Sequence, residues 1–412
     1  MNRIAFIRCL LAAALFGGAA AQAADTIKIA HIDPQSGPFA LQGQMGSRHI
    51  QMAIDEINAR GGVLGGQKLE LVSIDNKSSP QESLVALKQA IDQGIRYITQ
   101  GNGSHVGHAL TDAVLKHNQR NPGREILFLN HAAIDPALTN EKCHFWHFRF
   151  DATVDMKIDA LTSAIAGQKD IKSVYLLNQD YAYGHSVAKA AREMLAAKRP
   201  DIKLAGDELH PIGKVKDFAP YVAKIKASGA DAVLTGNWGN DLALLIKAAA
   251  DSGLRAPMYT NYAYLVGTPR AIGTAGADRV KTLTSWHPNI DGYPLQSYYT
   301  KYKKQHNEDW NFIPIKYTVY MLAMALDKAG ANDPNKVAAA LENMRYDGGV
   351  GEVWMRPDDH QLMEPVFVAT FTKTGGKVKF DADDTGYGWK TDVRIDAKDN
   401  ILPHTCKMQR PG

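Results

Sequence analysis

Three sets of residues in this sequence have types and spacings that could do chemistry. The first is Gly101-Asn102-Gly103-Ser104-His105-Val106-Gly107, a glycine-rich stretch between a strand pattern and a helix pattern. That setting suits a loop that cradles phosphate, but position 106 is valine and the last glycine comes one residue late for G-x-G-x-x-G. The stretch also follows the third strand, whereas a dinucleotide fingerprint usually follows the first. The same geometry has a simpler use. Backbone N–H groups and the Ser104 hydroxyl at a helix start make a site for a carboxylate, with a glycine turn and a capping serine as the plain alternative.

The second set is histidines: His105 and His108 at i, i+3, and the group Cys143-His144-x-x-His147. Metal ligation needs three or four converging donors, and neither group brings a carboxylate or a second cysteine at zinc-like spacing. Phe145, Trp146 and Phe148 beside them read as strand packing. Neither a metal nor a cofactor is expected. Catalysis is not expected either, because Ser104 lacks the glycines a nucleophile elbow needs at 102 and 106, and no nucleophile and base stand at recognisable spacing. The third set is aromatic. Tyr181 and Tyr183, Trp238, and Tyr262 and Tyr264 fall in loops just before or at helix starts, away from helical core spacing, which suits a cleft wall with polar tips.

The elements that must position these residues alternate along the chain. Strand patterns at Ile27 to Ile32, Leu69 to Asp75, Ile95 to Thr99 and Ile126 to Leu129 are separated by helices at Gln44 to Arg60, Ser79 onward and His105 to Asn118. The second of these helices has a clear start: Ser79 as N-cap, Pro80 at the first helical position, and Glu82 to complete a capping box. The alternation restarts after Arg149 with helix Val154 to Ala166, strand Val174 to Leu177, helix Ser186 to Ala197 and strand Ile202 to Leu209. Helix Phe218 to Ala227, strand Asp231 to Thr235, helix Asp241 to Ala250 and strand Met258 to Thr260 complete the run. Such alternation implies parallel sheets with helices on both faces, and two runs imply two doubly wound α/β lobes. Helices near Pro294 to His306, Ile315 to Ala329 and from Asp333-Pro334, with a strand at Val366 to Thr372, return to complete both lobes. In such sheets ligands sit beyond the carboxyl ends of the strands, which is where the three sets lie.

Compartment and composition narrow the function further. Arg3 and Arg8, the apolar run Cys9 to Ala21 and the small-x-small Ala21-Gln22-Ala23 read as a secretory signal peptide over residues 1–23. No later apolar stretch is long enough for a span. With 47 Lys+Arg against 43 Asp+Glu over 412 residues, the near balance argues against nucleic acid or an anionic membrane as partner. Cys143 and Cys406 are the thiols left after export, and a disulfide between them would tether the C-terminal tail by closing a long loop.

Taken with Ile27-Lys28-Ile29-Ala30, Ser36-Gly37-Pro38, Ala53-Ile54-Asp55-Glu56-Ile57-Asn58 and Gly61-Gly62-Val63-Leu64-Gly65, these loops give the chain a family likeness. Asp135-Pro136-Ala137-Leu138-Thr139, Asp180-Tyr181-Ala182-Tyr183-Gly184, Asp217-Phe218 and Ser228-Gly229-Ala230-Asp231-Ala232-Val233 extend it. The chain resembles the leucine/isoleucine/valine-binding family of periplasmic solute-binding proteins that serve ATP-driven importers. The resemblance implies two lobes joined by a three-crossing hinge (type I periplasmic binding fold), one holding 24–149 plus 286–350 and the other 150–285 plus 351–412. It implies a periplasmic monomer that docks on a membrane permease. By the same likeness Ser104 and the Ala132-Ala133 turn meet a ligand carboxylate. Tyr183 matches a ligand-contacting tyrosine, Trp238 stands where another tyrosine is usual, and Gln42 replaces a third. Ile134 replaces a threonine that holds the amino acid's polar head, and Asn261 replaces a glutamate that pairs with its ammonium. The expected ligand is an amino acid or similar small carboxylate. The loss of that glutamate favours an aromatic acid or another uncharged-tailed carboxylate, and a ligand-sensing role beside a membrane receptor is the alternative to import.

Overall fold

In a computed structural model, residues 26–292 and 295–411 are described. The expected signal peptide, residues 1–23, lies outside the described residues. The first sheet has five parallel strands, with Ile27–Asp33 lying between Leu69–Asp75 on one side and Tyr97–Gln100 on the other, followed by Leu127–Asn130 and His147–Arg149. Ile27 and Ile29 face one core and Ala30 and Ile32 the other, so this interior strand is apolar on both faces, as a strand under two helical layers must be.

The second sheet repeats the plan. Ser173–Gln179 lies between Lys203–His210 and Ala232–Thr235, followed in parallel by Met258–Thr260 and Val280–Thr284. Two antiparallel strands, Val366–Lys373 and Tyr387–Ile395, extend this sheet at its far edge. A small sheet of Arg345–Asp347, Glu352–Met355 and Leu362–Met363 completes the architecture. Its first hairpin straddles position 350, where one expected lobe boundary falls. The chain passes between the two large sheets after Arg149, after Thr284 and before Val366, giving the three crossings of a type I periplasmic binding fold.

Local signals explain most element bounds. Thr153 caps Val154–Ala166 by accepting from the Met156 N–H, and Asp333 caps Pro334–Leu341 through the N–H groups of Asn335 and Lys336. Only half of the expected capping box forms. Ser79 accepts from the Glu82 N–H, while the Glu82 carboxylate pairs with Lys77 and the Ser79 N–H goes to the Asn76 carbonyl. The first helix, Ala40–Ala59, starts one turn before the expected Gln44, because its N-cap position is Phe39, which offers no capping side chain to mark it.

The same strand-to-helix corner recurs at the start of each lobe. A Cβ at Gly43 would lie 1.8 Å from the Pro34 carbonyl oxygen, and one at Gly184 would lie 1.8 Å from that of Gln179. Only glycine lets either helix begin so close to the strand it follows. Cys143 and Cys406 are joined, Cα atoms 5.8 Å apart across 263 residues of chain. Thr405 and Arg410 of the same tail bond Asn140 and Glu342. No described helix is long and apolar enough to cross a membrane.

Candidate functional site

In each large sheet the strand order reverses beside the first strand, and a crevice opens there beyond the carboxyl ends. The two crevices face one another and merge into one cleft lined from both lobes. Helix starts supply its walls. Gln42 comes from the first turn of Ala40–Ala59, Ser104 opens Ser104–Arg120, Tyr183 sits in the first turn of Ala182–Lys198, and Trp238 precedes Gly239–Asp251. The positive ends of helix dipoles therefore converge on it, which favours an anion.

Of the residues expected at the site, Gln42, Ser104, Ala132, Ile134, Tyr183 and Trp238 line this cleft. Asn261 does not. It is fully buried behind Tyr183, and its Nδ2 donates to the Tyr183 hydroxyl at 2.9 Å. The family resemblance puts this position against a ligand's ammonium, whereas here its amide is spent on the Tyr183 hydroxyl and the side chain does not reach the cleft wall.

Two further expectations change in detail. The amides of the glycine-rich loop are not all free: the Gly101 N–H reaches Asp33 Oδ2 at 3.2 Å and the Asn102 N–H reaches Oδ1 at 2.9 Å. The Ala132-Ala133 turn likewise uses its N–H groups on Asn130 Oδ1, at 3.2 and 2.7 Å, leaving Ala132 to line the cleft with its side chain.

Hydroxyl protons take over as the donors. Ser104 Oγ accepts from the Asp135 N–H at 3.2 Å, and the Tyr181 hydroxyl accepts from Trp238 Nε1 at 2.7 Å. The Tyr183 hydroxyl accepts from Asn261. Each of these three oxygens has its incoming bond fixed by the protein and keeps its own O–H to give away. Burial pushes the Tyr181 and Tyr183 phenols above their ordinary range, so both hold those protons at neutral pH. Tyr262 is committed elsewhere, its hydroxyl bonding Asp151 at 3.1 Å.

Charge on the cleft wall is sparse. No Asp, Glu, Lys or Arg lines it, and His131, which the sequence reading passed over, is its one imidazole. His131 belongs to a buried network with His31 and Asp33, whose ring and carboxylate atoms lie within 4.8 Å of one another. This is the one such group among the described residues close enough to chelate a cation. Yet His31 Nε2 lies 2.8 Å and His131 Nε2 3.3 Å from Asp33 Oδ2, and a carboxylate only accepts, so both nitrogens carry protons and the arrangement is a hydrogen-bond network. Those bonds outweigh burial and hold the Asp33 carboxyl well below its usual range.

The histidines singled out in sequence are dispersed. His144 bonds the Thr111 carbonyl, His147 lies against Asn130, His105 bonds the Ser78 carbonyl, and His108 pairs with Asp135. Missed apolar wall residues include Met45, Leu265, Phe312 and Ile315, which core periodicity makes indistinguishable from ordinary packing.

Contacts across the cleft hold the lobes together. The Phe39 and Trp238 rings pack with centroids 4.2 Å apart and planes tilted by 31°, His105 meets Tyr181 edge-on, and Ser186 donates to Asp135 at 2.7 Å.

The chain matches the model of a periplasmic binding protein family over residues 26–377. It is 33% identical to Leu/Ile/Val-binding protein homolog 4 of Brucella melitensis biotype 1, over 97% of each chain. Its structure superposes on the closed conformation of the leucine-, isoleucine-, valine-, threonine- and alanine-binding protein of Brucella ovis with TM-score 0.85 at 31% identity, covering 94% of this chain and all of that one. The same fold recurs at 19% identity and TM-score 0.79 in a solute-binding protein of an ABC transporter from Rhodopseudomonas palustris, solved with 3,4-dihydroxybenzoic acid, over 90% of this chain and 98% of that one. The family match over most of the chain and the relatives above 30% identity agree, and the chain belongs to the leucine/isoleucine/valine-binding family of periplasmic binding proteins.

Proposed function

We propose that this protein is the extracytoplasmic solute-binding component of an ABC importer and that it captures a small carboxylate whose remainder is uncharged. One observation carries the ligand reading: Ser104, Tyr181 and Tyr183 each hold an O–H free to donate into a cleft lined by no carboxylate. A desolvated anion gains from such donors, at about 1.5–3 kcal/mol per charged hydrogen bond. An α-ammonium would lack the charged partner that burial demands. Trp238, Tyr183 and Tyr262 offer flat apolar surface to the remainder of the ligand. Because the ligand touches both lobes, it favours the closed form by that difference in contact, and closure is what a membrane permease would read.

A second reading, an aliphatic α-amino acid, is favoured by the 33% and 31% identical relatives, which are named for binding leucine, isoleucine and valine. A thermal-shift screen separates the two, using benzoate, 4-hydroxybenzoate, 3,4-dihydroxybenzoate and leucine. A ligand at a hundredfold excess over Kd adds about 2.7 kcal/mol of stability. The largest shift is expected from an acid without an ammonium. Leucine giving the largest shift would establish the second reading, and no shift from any acid would overturn both.

A further inference from the structure

We propose that carboxylate capture by this cleft takes up a proton, which lodges on His131 and gives the bound anion its counter-charge. This rests on the carboxylate reading above. His131 lines the cleft from the loop after Leu127–Asn130 and is the one side chain on its wall able to become a cation.

Its hydrogen bonds leave room for the proton. Nε2–H already faces Asp33, so in the neutral ring Nδ1 accepts from the Thr99 hydroxyl at 2.9 Å. Protonation at Nδ1 asks only that this hydroxyl rotate and accept. No bond is lost in the exchange. The balance is one proton from solvent added to imidazole, with no other covalent change.

The charged and titratable groups facing the ring come from three elements. Asp33 and His31 lie on the first strand, His49 on the first helix, and Asp151 on the crossing after Arg149; Thr99 and the Phe312 ring are the uncharged contacts. Burial outweighs Asp33 and keeps the ring's pKa below the ordinary histidine value, so the empty protein holds His131 neutral at pH 7. Asp33 is already shared among His31 and two backbone amides. A ligand carboxylate sets a second anion beside the ring in a water-poor site, where its attraction is strong. The ring then protonates as the ligand enters.

The test is calorimetry with whichever of benzoate, 4-hydroxybenzoate, 3,4-dihydroxybenzoate and leucine gives the largest thermal shift. Titrations run at one pH in buffers of different ionisation enthalpy, then across about pH 6 to 8. The expected result is a heat that varies with the buffer by up to one proton taken up, and affinity that falls up to about tenfold per pH unit as pH rises. His131→Gln is expected to abolish both dependences. If that variant does not fold, Thr99→Val, which denies Nδ1–H its acceptor, is expected to reduce the uptake. Acid binding with no buffer dependence in the wild type overturns the inference alone, as does full uptake in a folded His131→Gln. No binding of any of these acids across the range overturns the carboxylate reading with it.

Discussion

Tyr181→Phe removes one hydroxyl from the cleft and nothing else from its shape. In the wild type that oxygen receives Trp238 Nε1–H at 2.7 Å, which leaves its own proton to donate. Bound to a carboxylate, the O–H is a charge-assisted donor contributing about 1.5–3 kcal/mol, so Kd is expected to rise about 10- to 150-fold. The variant also leaves the buried indole N–H without an acceptor, costing about 1–3 kcal/mol of stability. The two effects separate by assay: titration calorimetry reads the first and urea unfolding without ligand reads the second. A control keeps the reasoning sharp. Trp238→Phe takes away the indole donor but leaves the phenol, and should cost less affinity than Tyr181→Phe. Wild-type affinity in Tyr181→Phe, with stability lowered, would show that the phenol points at protein alone and refute the donor role.

Other outcomes follow from the same contacts. Trp238→Ala deletes a wall of the cleft together with the ring contact on Phe39 across the lobes, centroids 4.2 Å apart, and is expected to weaken binding more than folding, read by calorimetry beside thermal melts. Glu364, fully buried with Asp151 near, has its pKa raised well above the usual carboxyl value by burial first and that charge second. A raised carboxyl stabilises the fold below its unfolded pKa and loses that contribution as pH rises through the folded one. Glu364→Gln is therefore expected to gain on the wild type in melting temperature as pH increases. Cys406→Ser opens the 263-residue closure and should cost up to about 5.5 kcal/mol in urea unfolding by the chain-entropy relation, with ligand affinity unchanged because no residue of the tail lines the cleft.

The parallel lobes were legible because their strands are apolar on both faces and their helices carry local start signals such as Ser79-Pro80 and Asp333-Pro334. Strands Val280–Thr284 and Tyr387–Ile395 were not. The second is half solvent-facing and finds its partner through antiparallel pairing with Val366–Lys373, a tertiary choice without a local marker. At the site, strand-end position was enough to bring forward Ser104, Tyr183 and Trp238. It could not separate Asn261 from the wall, since only packing shows that Tyr183 stands between them. His131 was invisible for a related reason: its meaning comes from Asp33 and His31, about a hundred residues earlier, and no spacing rule joins them.

The most direct measurement sets the best-binding acid against its own primary amide by calorimetry. The amide keeps the shape, loses the charge and turns an N–H toward donors that already point inward, and sites built around such bonds reject mismatched analogues strongly. Loss of affinity by about a hundredfold or more is expected. An amide that binds within about threefold of its acid would contradict a cleft organised around an anion.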